Sequence, residues 1–217
     1  VKKMFKEAVE KKYDLTIGSR FLDKSEYNPN LIRSSGINLL KDFLINRGLT
    51  VDIVREPGST TSGEAIRNIL LSNDYELNSK TELLLMFSAR SELIKNLESS
   101  NQHDVILFDR FYHASVAYQG YGRGIDLDFI NSLINFIDCP KPDLTFILDN
   151  SVKNSFNRKS SDVKDRIERS GESFFNKVRD GYLAIASENK DYIKVIDASN
   201  DIDSINKSII NYVLEIL

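Results

Sequence analysis

The sequence holds one cysteine, four prolines, two histidines and no tryptophan in 217 residues. Cys139 alone allows no internal disulfide, so stability has to come from a core, and a reducing compartment, the cytoplasm, is expected. Long apolar runs are missing too. Nothing approaches the roughly 18 residues that cross a bilayer, and the first residues carry no signal-peptide hydrophobic stretch. No membrane partner is expected. Nor is there an excess of charge of one sign: the net charge of −3 argues against a nucleic-acid polymer held by general electrostatics. A small anionic ligand is still allowed, because the charge of a pocket matters more than the sum. Internal repeats and low-complexity tracts are absent. With 41% hydrophobic and 28% charged residues, the composition is that of a globular chain.

What is present is regular from residue 37 onward. Ile37, Leu40, Phe43 and Leu44 share one helical face, which ends at Asn46-Arg47-Gly48. Residues 49–54 form an apolar strand pattern, followed by a helix over 62–71. Ser79-Lys80-Thr81-Glu82 reads as a capping box opening a helix that runs past Arg90. Strands are expected at 105–108, 144–148 and 192–196, and helices at 171–188 and 202–217. Asp126 caps a helix with Phe129, Ile130, Leu133, Ile134 and Ile137 on one side. Strands alternating with helices predict an α/β domain with a parallel sheet.

Residues 1–36 differ. They carry eight basic and five acidic groups, against 21 and 27 in the remainder. A short amphipathic helix near Met4 to Val9 and a short strand at 15–17 precede a polar stretch over 19–35, where Asn28-Pro29 interrupts any helix. A polar link of that length inside a compact domain points to an insertion, a lid or a join between unrelated segments.

Ligands of parallel α/β sheets sit at the carboxyl ends of the strands, so the segments after the strands are the candidates. Arg55-Glu56-Pro57-Gly58 is either a turn with a surface ion pair or an arginine at the sheet mouth. Asp109-Arg110 is either a local salt bridge or a carboxylate for hydrated Mg²⁺ beside a guanidinium that forks onto phosphate. Three of ten glycines fall within residues 120–124, which suits a loop that brings backbone close to a ligand. Gln119 offers a donor and an acceptor, the complement of a pyrimidine N3/O4 edge. Met86 and Phe87 are either core or a flat apolar surface beside Arg90. Arg158-Lys159 and Asp165-Arg166-Ile167-Glu168-Arg169 are either a solvated loop or a mobile, arginine-bearing lid.

Taken in order, Arg55-Glu56-Pro57-Gly58, the Glu82-to-Arg90 helix, Asp109-Arg110-Phe111, Ala117-Tyr118-Gln119-Gly120, Pro142-Asp143-Leu144-Thr145, Asp165-Arg166-Ile167-Glu168 and Val178-Arg179-Asp180-Gly181-Tyr182-Leu183 closely resemble bacterial thymidylate kinase. The resemblance covers about residues 37–217, with a lid near 155–170. It implies a P-loop NTPase-like nucleoside monophosphate kinase fold, a three-layer α/β arrangement with helices on both faces of a parallel sheet. It also implies thymidine monophosphate as acceptor, ATP with Mg²⁺ as donor, and a homodimer. Under it, Arg55 binds the acceptor phosphate, Arg90 meets thymine O4 and Gln119 its N3 side. Ser115 lines the base pocket and Tyr118 packs on the sugar. Met86 stands where the family stacks a phenylalanine on the base, with Phe87 next to it, and either could cover the thymine. Arg110 bridges acceptor and transferring phosphoryl groups, Asp109 lies near the metal, and Arg158 and Arg166 are lid positions. Asp197, Ala198 and Ser199 lie near the adenine.

One part is missing. The P-loop G-x-x-x-x-G-K-[ST] surrounds phosphates with backbone N–H groups, and its glycines make that possible. Counting back from Arg55 puts its lysine at Arg33 and its hydroxyl at Ser34, but the octet from Tyr27 to Ser34 contains no glycine. The octet from Gly18 to Ser25 fits the pattern apart from Asp23, and lies too far upstream. Residues 13–40 instead resemble a stretch of family 2 glycosyltransferases of the polyprenyl-phosphate kind, through Tyr13-Asp14-Leu15-Thr16-Ile17-Gly18-Ser19-Arg20-Phe21 and Arg33-Ser34-Ser35-Gly36-Ile37-Asn38-Leu39-Leu40. The expectation is a hybrid in which residues 1–36, of foreign origin, replace the first strand and P-loop, leaving both atypical or missing. A non-catalytic nucleotide-binding module is the alternative function.

Overall fold

The computed structural model describes residues 13–18, 29–100, 103–152 and 165–217, with backbone alone at 13–18 and 29–35. Its strands are β1 (Tyr13–Gly18), β2 (Val51–Arg55), β3 (Val105–Asp109), β4 (Leu144–Asp149) and β5 (Ile193–Asp197). All pair in parallel, in the order β2-β3-β1-β4-β5. The central position, whose strand was expected to be atypical or missing, is filled by β1. Leu15 pairs with Leu107 on one side and Leu144 on the other, so β1 completes the hydrogen-bonding of both neighbours.

The main helices are α1 (Pro29–Ile45), α2 (Thr61–Leu71), α3 (Ser79–Ser100), α4 (Tyr112–Ser115), α5 (Leu127–Phe136), α6 (Gly171–Glu188) and α7 (Ile202–Ile216). Strand residues alternate between two cores, as a doubly covered sheet demands. Leu107, Leu144, Phe146 and Leu148 pack with Leu40 and Leu44 of α1 and Ile205, Ile209 and Val213 of α7. On the other face Ile147 and Ile193 meet Phe174, Phe175 and Val178 of α6, while Val54 and Phe108 meet Leu93 of α3. Among the described residues, no helix is long and apolar enough to cross a membrane.

Four local expectations are corrected. Pro29 does not sit in a polar link; it is the first residue of α1, where its missing N–H is no loss and its fixed φ is suited. Residues 29–35 are therefore helical, not part of a polar link. The capping box also fails: Asn78 caps α3, its Oδ1 accepting from Thr81 N at 2.9 Å, and Glu82 turns inward instead. Phe129 does not share the buried side of α5. It is 49% exposed, whereas Ile130 is buried and Leu133, Ile134 and Ile137 pack beside it.

The fourth correction concerns the glycines. Val116–Gly122 is a π-helix continuing α4, not a ligand-hugging loop. A Cβ at Gly122 would stand 2.6 Å from the Phe174 ring, and one at Gly120 would run into Leu127. These glycines let α5 and α6 close onto the π-helix. Such wide helical turns are rare and collect at functional sites.

Candidate functional site

A cleft with about 320 Å³ of empty space opens at the carboxyl ends of β2 and β3. The connection after β2 supplies Glu56 and Pro57, the one after β3 supplies Arg110 and Phe111, and Glu56 N donates to Asp109 O at 3.1 Å, tying the two together. Helix α3 contributes Met86 and Arg90. Ser115, Tyr118 and Gln119 come from α4 and the π-helix, and Ile167 closes the remaining side.

Arg90 is 2% exposed and fully engaged on its protein side. Its Nε donates to Glu56 Oε2 at 2.8 Å, its Nη2 lies 2.7 Å from the same oxygen, and its Nη1 donates to Ser115 Oγ at 3.1 Å. Burial raises the Glu56 carboxyl above the usual carboxylate range despite the opposing pull of Arg90. Breaking one side of such a buried pair would leave an uncompensated charge.

Arg110 has φ of 71°, a left-handed conformation that a non-glycine residue rarely adopts without a functional reason. Its guanidinium carbon lies 5.6 Å from the centroid of the Tyr118 ring. Burial acts to lower its pKa, but Tyr118, Tyr182, Asp109 and Asp165 together raise it, so the cation is secure. Two buried atoms of the cleft, Arg110 Nε and Glu56 Oε1, make no hydrogen bond among the described residues. A buried donor of this kind suits an anionic ligand.

The other sequence-derived residues are placed as follows. Met86 lines the cleft, whereas Phe87 is 3% exposed and packs with Leu83 and Ile130, its ring centroid 4.8 Å from the Arg90 guanidinium carbon. Arg55 does not line the cleft; it is half exposed and paired with Glu64 at 2.9 Å. Asp109 ends β3 beside Ile17 of β1. Arg166 donates to Leu70 O at 2.9 Å and to Glu82 Oε2 at 2.8 Å. Asp197 ends β5; its carboxylate accepts from Ser199 N and Oγ, which hold its pKa low, and Ala198 N donates to Asp149 O. Arg158 lies outside the described residues.

Arg33 and Ser34 fall inside α1, preceded by four helical residues. Their backbone N–H groups are past the four that a helix leaves open, so the octet ending at Ser34 does not form a phosphate-wrapping loop. Among the described residues no group of three or more His, Cys, Asp or Glu gathers to hold a metal.

Sequence reasoning passed over Glu82 and the buried partnership of Glu56. The signal for Glu82 was its spacing: residues 82, 86 and 90 recur every four along α3, Met86 and Arg90 line the cleft, and Glu82 holds Gln119, which lines it too.

A protein-family model described as Thymidylate kinase matches residues 33–209. The chain is 37% identical over 190 residues to a thymidylate kinase of Prosthecochloris aestuarii, covering 82% of this chain and 85% of that one. It is 40% identical over 174 residues to one of Thermosipho melanesiensis, covering 79% and 86%. A crystal structure of thymidylate kinase from Ehrlichia chaffeensis superposes with a TM-score of 0.69 at 27% identity, covering 94% of this chain and 99% of that one.

Proposed function

Because the chain belongs to the thymidylate kinase family, we propose that its cleft binds thymidine monophosphate, and that ATP-dependent phosphorylation of this acceptor is severely impaired. The observation that carries the first half is the pair of arginines on opposite walls. Arg90, held by Glu56 and Ser115, offers donors to thymine O4, and Arg110, with its buried Nε, offers a cation to the phosphate. Gln119 faces the N3 side. Met86 covers the base, since Phe87 is committed to the core. Tyr118 packs on the sugar, and Ser115 completes the base pocket. Arg55, on the rim with Glu64, takes the acceptor phosphate only after leaving that ion pair.

The second half rests on the sequence between β1 and α1. The octet from Gly18 to Ser25 starts where β1 ends but carries Asp23 in place of the second glycine, and Arg33 and Ser34 fall inside α1, so neither stretch has the glycines of a cradle for the polyphosphate of ATP. Each preorganised phosphate donor is worth roughly 3 kcal/mol of transition-state stabilisation, and several are lost together. A lone carboxylate such as Asp109 suits a Mg²⁺ ion that keeps most of its waters and is otherwise held by substrate phosphates. The ion, when present, would screen phosphate charge. Asp197, Ala198 and Ser199 border the adenine, and Arg158 and Arg166 belong to the lid.

The test is a thermal-shift titration with each nucleotide, run beside a coupled turnover assay. Stabilisation by thymidine monophosphate with little response to ATP is expected; robust turnover overturns the impairment. The same outcome favours the non-catalytic module over a working kinase. We further infer that residues 1–36 are of foreign origin and that the protein is a cytoplasmic homodimer. The charge step at residue 36 supports the join, and the family match, which begins at residue 33, leaves residues 1–32 outside it. Reading the coding sequence across codons 30–40 tests it, and sedimentation tests the dimer.

A further inference from the structure

Gln119 stands on the π-helix and Arg166 in the segment before α6, yet both end on one carboxylate. Gln119 Nε2 donates to Glu82 Oε1 at 2.9 Å, and Arg166 Nη2 lies 2.8 Å from Glu82 Oε2. Arg123 adds a longer contact at 3.3 Å while resting over the Phe174 ring. Glu82 is 1% exposed, so water cannot substitute for these partners.

We propose that Glu82 is a positioning residue with two tasks: it fixes the Gln119 amide so that the carbonyl oxygen faces the base, and it anchors residues 165–170 through Arg166. The first task rests on the function proposed above. An ionised carboxylate only accepts hydrogen bonds, so the Gln119 atom against it has to be the NH₂ group. Turning the amide over would set its oxygen against a carboxylate oxygen, in a site closed to water. Burial acts to raise the Glu82 carboxyl, but the hydrogen bond from Gln119, the charge of Arg123 and the hydrogen bond from Arg166 outweigh it and keep the group ionised. The Gln119 side chain makes no other hydrogen bond among the described residues, and its oxygen is left as an acceptor on the cleft side. Thymine presents N3–H to such an acceptor. Cytosine presents a lone pair and is refused.

The second task uses the other carboxylate oxygen. Arg166 reaches Glu82 and Leu70 O together, and its own N donates to Leu71 O at 3.4 Å, so the segment is tied across the α2–α3 junction. The base-reading amide and this segment therefore share a single rigid anchor.

The experiment is calorimetric titration with thymidine monophosphate and with deoxycytidine monophosphate, together with hydrogen exchange of residues 165–170, on the unaltered protein, Glu82→Gln and Arg166→Met. In Glu82→Gln the neutral amide tolerates either face of Gln119. The preference for thymidine monophosphate should fall at least about tenfold, and exchange of 165–170 should rise even without nucleotide. Unchanged preference overturns the first task and unchanged exchange the second. Should Glu82→Gln fail to fold, Arg166→Met decides: the preference must persist while exchange rises, and a lost preference or unaltered exchange overturns the proposal. No binding of thymidine monophosphate by the unaltered protein sinks the function proposed above and the first task with it. The nucleotide-free exchange comparison still decides the anchor.

Discussion

The cleft at the tips of β2 and β3 and the sequence that joins β1 to α1 differ in what each offers to organise a ligand. The cleft is organised by side chains: Glu56 and Ser115 on Arg90, and Glu82 on Gln119 and Arg166. A phosphate cradle is organised by backbone, and needs glycines between β1 and α1, where the sequence from 19 to 28 has none. Side-chain networks borrowed from α3 and the π-helix are independent of what precedes α1. On the function proposed above, the two halves of a nucleotide kinase site are separable, and this chain would carry them in unequal states.

The largest effect should come from evening out that difference. Installing G-x-x-x-x-G-K-S between β1 and α1 is expected to raise turnover of thymidine monophosphate with ATP by about 100-fold or more in a coupled assay. No gain would mean that the acceptor half is also incompetent. Next is Arg90→Met, which strands the buried Glu56 carboxylate. Urea unfolding should show a loss of about 3–5 kcal/mol, together with loss of nucleotide binding. Met86 and Phe87 sharpen the contrast within α3. Phe87→Ala should cost about 3 kcal/mol of stability with the base preference retained, whereas Met86→Ala should weaken thymidine monophosphate binding several-fold and stability less. The smallest change is expected at the rim: Arg55→Gln removes an exposed ion pair worth less than about 1 kcal/mol. Calorimetry on that variant then isolates any role of Arg55 in holding phosphate.

Much of the architecture was legible because burial on both faces leaves an alternating trace. The runs at β3 and β4 and the cap at Asp126 stand out in the letters themselves. The errors share one cause. Ser79 to Glu82 has the letters of a capping box, but Gln119, Arg123 and Arg166 offer Glu82 three partners that no local pattern reveals. Gly120 and Gly122 look like loop glycines until α5 and α6 are seen pressing on them. In each case a contact distant in sequence outcompetes a local preference. Pro29 was misjudged for the opposite reason: the local rule for a first helical turn was sufficient, and the polar letters around it obscured the start.

The central place of β1 has a consequence for how the chain is made. Tyr13 emerges early in synthesis, but its partner Val105 and the Leu144 that pairs with Leu15 emerge much later. Until β4 exists, β1 can pair with β3 alone and keeps its other flank open to whatever is near. The order of emergence therefore keeps the middle of the sheet open to misassociation until β4 is made, after which β5 adds the last edge.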